Sequence, residues 1–224
     1  MAARGPRLVL LGKQGAGKGT QATKLAEHYG VAHLSTGDLF RAAANAGAPL
    51  GLEAKRFMDR GDLVPDDTVV GLIEEQLGAA DKRRHGFVLD GFPRTRRQAV
   101  ELARILDDQP LDLAIDLDVP TEVVLHRIAG RRVCTQCSRG YHVDNPPEKA
   151  WICDSCGGDV VQREDDTEEA VLRRLELYEV ETLPVIQYYR RTGDLAHVDG
   201  SWESDDVFKR LIEMVESRFR ADAP

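Results

Sequence analysis

One segment near the start of the chain restricts its possible folds more than any other. Gly12-Lys-Gln-Gly-Ala-Gly17-Lys18-Gly19-Thr20 follows a short apolar run, Arg7 to Leu11. It precedes a stretch of helical composition, Thr20 to Tyr29, that Gly30 closes. The order is strand, glycine-rich turn, helix. Glycines let the backbone turn tightly with its N–H groups aimed inward, and the helix adds its positive N-terminal end, so the segment suits an anion. Lys18 is placed to reach the β- and γ-phosphates of a nucleotide, and Thr20 to help position Mg²⁺. The alternative is a glycine-rich connection that binds nothing. A strict phosphate loop carries Ser or Thr directly after the lysine; here Gly19 intervenes, which narrows the family.

The rest of the chain keeps this rhythm. Val31 to Ser35, Gly86 to Asp90, Leu113 to Leu117 and Leu195 to Val198 read as short buried strands. Thr95 to Leu106, Pro120 to Arg131, Thr167 to Arg191 and Ser204 to Arg220 read as helices. Pro120 suits a first helical turn, whereas Pro184 is expected to kink or interrupt the long helix. The alternation predicts an α/β fold, a doubly wound parallel sheet covered on both faces. Two segments break the pattern and read as insertions. Residues 36–65 are polar and helix-like, and residues 131–166 hold all four cysteines with Pro146, Pro147 and several glycines. The core is then residues 1–35, 66–130 and 167–224. With 224 residues, 42% of them hydrophobic, the chain has material for one packed domain with insertions.

No apolar run approaches the ~18 residues of a membrane span, and Leu8 to Leu11 is too short for a secretory signal. A net charge of −8 opposes general nucleic-acid binding, although a local basic pocket stays possible. The chain therefore reads as soluble and cytoplasmic, with no membrane or nucleic-acid partner. Its cysteines form two close pairs, Cys134-x₂-Cys137 and Cys153-x₂-Cys156. That spacing falls in the zinc range, and four protein ligands make a closed, structural site. A redox dithiol is the alternative, and iron suits the same ligands.

Gly17-Lys-Gly-Thr20 resembles the adenylate kinase branch of the nucleoside monophosphate kinases. The resemblance continues through Ser35-Thr-Gly-Asp-Leu-Phe-Arg41, Gly61-Asp-Leu-Val64, Leu89-Asp-Gly-Phe-Pro-Arg94, Gly130-Arg-Arg-Val133, Asp165-Asp166 and Val198-Asp-Gly200. It covers nearly the whole chain, and the cysteines match the form of the family with a zinc-bearing lid. Gln14 departs from it, standing where many relatives have proline.

The resemblance implies a phosphate-loop core with two mobile insertions, a flap over the nucleoside monophosphate and the lid. It implies Mg²⁺-dependent, reversible phosphoryl transfer from ATP to AMP, giving two ADP, with structural Zn²⁺ in the lid; a single copy of each motif suggests a monomer. The catalytic residues it implies are Lys18, Arg94, Arg127, Arg131, Arg163 and Arg174. For ATP it implies Gly15, Ala16, Gly17, Lys18, Gly19, Thr20, Arg127, Arg131, Tyr141 and Trp202. For AMP it implies Thr36, Arg41, Asp62, Leu63, Val64, Gly91, Phe92, Pro93, Arg94, Gln98, Arg163 and Arg174. Asp90 would organise Mg²⁺ through water, and Cys134, Cys137, Cys153 and Cys156 would hold zinc.

Several of these residues have a plainer reading. Thr36 suits a helix cap, and Thr95-Arg-Arg-Gln98 a capping box. Tyr141 suits packing within the lid. Asp165 and Asp166 read as partners that steer the arginines, and Asp166-Thr-Glu-Glu169 also as a helix start. Arg127 and Arg131, four apart on an expected helix, would share a face. Arg97, Arg132 and Arg173 read as surface. A pyrimidine (UMP/CMP) monophosphate kinase on the same fold, or a zinc-ribbon nucleic-acid-binding ATPase, are the competing functions.

Overall fold

The protein is described by a computed structural model covering residues 4–78, 85–107 and 109–221. In chain order its elements are β1 (Arg7–Leu11), α1 (Lys18–Tyr29), β2 (Ala32–Ser35), α2 (Thr36–Asn45), α3 (Pro49–Asp59), α4 (Asp66–Gly78), β3 (Phe87–Asp90), α5 (Arg96–Leu106), β4 (Leu113–Asp118) and α6 (Thr121–Ala129). There follow β5 (Arg131–Cys134), β6 (Gly140–His142), β7 (Val160–Val161), α7 (Glu168–Leu177), a π-helical turn at Tyr178–Thr182, α8 (Leu183–Thr192), β8 (Leu195–Asp199) and α9 (Ser204–Ala221).

Five strands form one parallel sheet in the order β2-β3-β1-β4-β8. Side chains alternate across a strand, so β1 feeds both faces. Leu8 and Leu10 pack with Leu25 of α1, Val124 and Ile128 of α6 and Leu211 of α9. Val9 and Leu11 pack with Phe40, Ile73, Leu102 and Val185 on the opposite face. Both sides of the sheet are thus buried, as near-continuous apolar strands require. The carboxyl ends of β1, β2 and β3 come together, and the loops that carry the candidate residues leave from there.

Two helices end differently from the sequence expectation. The helix expected from Pro120 begins at Thr121, with Pro120 as its cap, and stops at Ala129 before Gly130, so Arg131 opens β5 instead. Arg127 and Arg131 therefore share no helix face. The long stretch from Thr167 breaks into α7, the π-helical turn and α8, with Pro184 in the first turn of α8. Proline has no N–H to give to the preceding turn, and the wider turn absorbs that missing bond.

Residues 36–65 hold the helix pair α2 and α3, and β5, β6 and β7 make a separate antiparallel sheet in the order β6-β5-β7. The buried apolar cluster of this sheet is only Cys134, Cys153 and Val160, with Tyr141 against it. So small a core cannot hold the segment together by burial alone.

Candidate functional site

The phosphate loop ends at Gly17, whose φ of 98° suits glycine and turns the chain into α1. No side chain caps α1. Ser35, Thr95 and Thr167, by contrast, cap α2, α5 and α7 by accepting from Asp38, Gln98 and Ala170 amides. The open start of α1 keeps its positive end available to an anion. Lys18 folds back into the loop, its Nζ donating to the Gly12 and Lys13 carbonyls at 2.8 Å each. Burial draws its ammonium down to about 8; Asp90 opposes this, while Arg94 and Arg131 add to it. Asp90 ends β3 beside the loop, with Oδ2 3.3 Å from where a Cβ on Gly19 would stand.

Arg94 and Arg131 bear on Lys18, and further guanidinium groups from separate elements gather about them. Burial depresses Arg94, and Arg174 and Arg41 press on it further. Arg163 falls to about 10, chiefly through burial, with Arg41 and Arg131 adding to it. Such mutual repulsion places Arg41, Arg94, Arg131, Arg163 and Arg174 about one space. Three carboxylates stand between them. Asp166 takes both a Nε bond at 2.7 Å and a second, shorter bond from Arg131. Asp165 accepts from Arg174 Nη2 at 2.6 Å, and Asp38 from Arg41 Nη2 at 2.5 Å. Burial pushes Asp38 and Asp165 up, yet the facing arginines outweigh it and hold both below the usual carboxylate range.

The α2–α3 segment and the residues before α7 meet across this space. Arg163 Nη2 lies 3.8 Å from Asp38, and Lys55 of α3 pairs with Glu164 at 3.0 Å. Arg174 also donates to the Met58 carbonyl at the end of α3 at 2.6 Å. Gln14, in the phosphate loop, donates from Nε2 to Asp166 at 3.0 Å and accepts from Arg174 at 3.1 Å.

On the β2–β3 side, Thr36 donates to the Gly91 carbonyl at 3.0 Å while Ser35 caps α2, so the capping role expected of Thr36 belongs to its neighbour. Arg94 is held at both ends: Nε donates to the Gly91 carbonyl, and its amide to Gln98 Oε1 at 2.7 Å. Gln98, 1% exposed, donates from Nε2 to Asp66. Thr95 caps α5 as the box requires, but Gln98 reaches the Arg94 amide rather than that of Thr95. Phe92 is buried against the core, and Val64 joins the same cluster beside Leu63. The Phe92–Pro93 peptide is cis.

Other candidates stand apart. Arg127 donates to the carbonyls of Ala16, Gly200 and Ser201, bracing the loop against the turn after β8. Trp202 follows that turn and is 52% exposed. The Tyr141 hydroxyl lies inside the lid, donating to Cys153 Sγ at 3.4 Å and accepting from the Asp154 amide at 2.8 Å. Asp62 accepts from Arg60 and Arg173. Arg97, Arg132 and Arg173 are exposed or pair at the surface. Thr167, not Asp166, caps α7.

Sequence reasoning did not single out Asp38, Asp66 or Thr182, whose hydroxyl donates to the Arg94 carbonyl at 3.0 Å. Gln14 entered only as a departure from pattern. The acidic start of α4, Asp66-Asp67, is the sole local signal among them.

The four cysteine sulfurs cluster, Cys134 to Cys156 at 3.4 Å and Cys137 to Cys153 at 3.5 Å, none in a disulfide. Zinc–sulfur bonds of about 2.3 Å set tetrahedral sulfurs slightly under 4 Å apart, so this set fits zinc. Tyr141, donating to Cys153, draws that thiol down to about 6 and favours the ligating thiolate.

A family model for adenylate kinase matches residues 10–194. The chain is 48% identical to an adenylate kinase of Thermodesulfovibrio yellowstonii over 95% of its own length and 100% of that protein. It is 47% identical to one from Geobacillus over 93% and 97%, and 48% identical to one from Bacillus subtilis over the same shares.

Proposed function

Because the chain belongs to the adenylate kinase family, we propose that its gathered arginines, with Lys18, align ATP and AMP for direct transfer of the γ-phosphoryl group, giving two ADP. The observation that carries this is the gathering of Arg41, Arg94, Arg131, Arg163 and Arg174 about Asp38, Asp165 and Asp166, with Arg94 and Arg131 bearing on a lysine that burial draws down to about 8. So many cations outnumber the three carboxylates among them, and the ATP triphosphate facing the AMP phosphate supplies further anions.

Transfer of this kind needs alignment and charge neutralisation more than a covalent partner. The loop from Gly15 to Thr20 receives the ATP phosphates on backbone N–H groups, with Lys18 over β and γ. Arg41 and Arg94 hold the AMP phosphate, fixed by the bonds of Arg94 to Gly91 and Gln98. Thr36, Leu63, Val64, Gly91 and Pro93 line the acceptor base and sugar; Phe92 backs them from the core, and Gln98 reaches the base by exchanging its bond to Asp66. Arg131, Arg163 and Arg174 spread over the moving phosphoryl group. Arg127, Tyr141 and Trp202 stand on the donor side, and Asp62 steers Arg60 and Arg173 at the rim. Attack by the AMP oxygen is in line, without an enzyme-bound phosphate. Asp90, through water, and Thr20 would hold Mg²⁺, which would supply neutralisation of phosphate charge.

The division into core (1–35, 66–130 and 167–224), flap (36–65) and lid (131–166) gives this site its closing parts, and closure excludes water that would hydrolyse ATP. Cys134, Cys137, Cys153 and Cys156 hold zinc as a structural ion, since all four positions come from protein. The enzyme works as a cytoplasmic monomer: one chain supplies every group named, and metal-binding thiols suit a reducing compartment.

The test is quantitation of ADP after mixing protein, Mg²⁺, ATP and one monophosphate at a time. Rapid ADP formation with AMP and little with CMP, UMP or GMP is expected. Preference for CMP or UMP would overturn the acceptor assignment of Thr36 and Gln98.

A further inference from the structure

Beyond the nucleotide site and the four cysteines, one more cluster of metal-ligating side chains stands among the described residues, where the lid leaves the core. His126 lies in the last turn of α6, one turn before Gly130. β6 returns antiparallel to β5, pairing His142 with Arg131, and the Val143 amide then donates to the Gly130 carbonyl. The His142 ring packs against Gly130 so closely that a Cβ there would stand 2.1 Å from Nε2. Glycine alone admits the ring, which thereby comes within 5.6 Å of the His126 ring between centroids.

Asp144 completes the group, its Oδ2 lying 3.2 Å from His142 Nδ1 and 3.8 Å from His126 Nε2. One ligand atom from each residue lies within 4.8 Å of the other two. His142 Nδ1 accepts the Asp144 amide at 3.2 Å, so a neutral ring carries its proton on Nε2. The Asp144 carboxylate lies on the same side of the ring, so a metal ion held between the two would take the Nδ1 lone pair over from the Asp144 amide. Metal–ligand bonds of about 2.0–2.2 Å place neighbouring ligand atoms roughly 3–3.5 Å apart. The separation to His142 already fits, and exposed His126 closes the remainder by turning. Two imidazoles with one carboxylate suit zinc, cobalt or nickel better than magnesium or calcium.

We propose that His126, His142 and Asp144 form a second metal site, for a first-row transition dication, that ties α6 of the core to β6 of the lid. His126 belongs to the core, and the other two ligands to the lid. Rotation of the lid about Gly130 and Arg131 separates them, so an occupied site restrains the hinge.

The probe is Co²⁺, titrated at neutral pH into protein whose cysteine site already holds zinc. One cobalt per chain is expected to bind with weak visible bands and no thiolate charge-transfer band. His126→Gln and Asp144→Asn should each weaken that binding about tenfold or more, leaving zinc content and the cobalt-free kinase rate unchanged. Undiminished cobalt affinity in both variants, or a thiolate band alone, would overturn the site. Amide hydrogen exchange over residues 130–145 is expected to slow with cobalt in the wild type and not in His126→Gln. Cobalt binding without that slowing would overturn the tie between core and lid.

Discussion

Replacing Lys18 by methionine removes a charge while keeping a flexible side chain of similar length, which isolates what burial does to that ammonium. The folded protein releases the Lys18 proton near pH 8, whereas the unfolded chain holds it to about 10.5. Between those values the unfolded state binds more protons, so stability rises with pH. At 1.36 kcal/mol for each tenfold change, the charged lysine costs the ligand-free fold about 3 kcal/mol at pH 7. Integrated from pH 7.5 to 9.5, the wild type should gain about 2 kcal/mol on Lys18→Met. Denaturant unfolding of both proteins across that window measures this difference, and other titrating groups cancel in it. Saturating nucleotide should abolish the gain, because phosphate gives the ammonium a partner and raises its proton affinity. Parallel pH profiles for the ligand-free proteins would refute the reasoning: Lys18 would then be no more strained than a surface lysine.

Arg94→Ala should lower kcat by about 10³-fold, as loss of a transition-state arginine does, with an unchanged far-ultraviolet spectrum; near-normal turnover would remove Arg94 from the site. Gln14→Ala deletes the bonds from the phosphate loop to Asp166 and Arg174. At roughly 1 kcal/mol per bond, loss of both should cost about thirtyfold in kcat with little change in the KM for AMP. Steady-state kinetics separate the two parameters, and an effect confined to KM would contradict the role. Stripping metal with a chelator should melt the lid before the core, seen as early loss of exchange protection over residues 131–166; an unaltered melt would show that the cysteines are not structural ligands.

Legibility from the sequence followed the range of the interaction that makes each feature. The phosphate loop was readable because strand, glycines and helix start are contiguous and each residue type is dictated locally. The cysteine site was readable for the same reason, two short loops with fixed spacing. The end of α6 was not, because Val123-Val124 to Ile128 continues smoothly into Arg131-Arg132 in composition. What stops the helix is the pairing of Arg131 with His142 and of Val133 with Val161, strands distant in the chain. The π-helical turn was half legible: Pro184 announced an interruption, but nothing local told that Thr182 would meet the Arg94 carbonyl. Asp38 carries no local signal of its own within Ser35-Thr-Gly-Asp-Leu-Phe-Arg41, and its role emerges only where α2 meets Arg163.

The carboxylates explain how so many arginines stand together. Asp38, Asp165 and Asp166 hold guanidinium groups in a closed arrangement, each pair exchanging water for a charge-assisted bond. Incoming phosphates must then compete with partners already in place, so binding is an exchange of anions rather than the filling of an uncompensated positive space. That exchange is why position matters more than charge count. Asp165 and Asp166 sit in adjacent places yet divide their arginines, one taking Arg174 and the other Arg131, and Gln14 bridges the second carboxylate to the first arginine. A phosphate that displaces either pair therefore disturbs the bond that holds the phosphate loop itself. In the proposed reaction, arrival of ATP and alignment of the transfer arginines are one event because they share these partners.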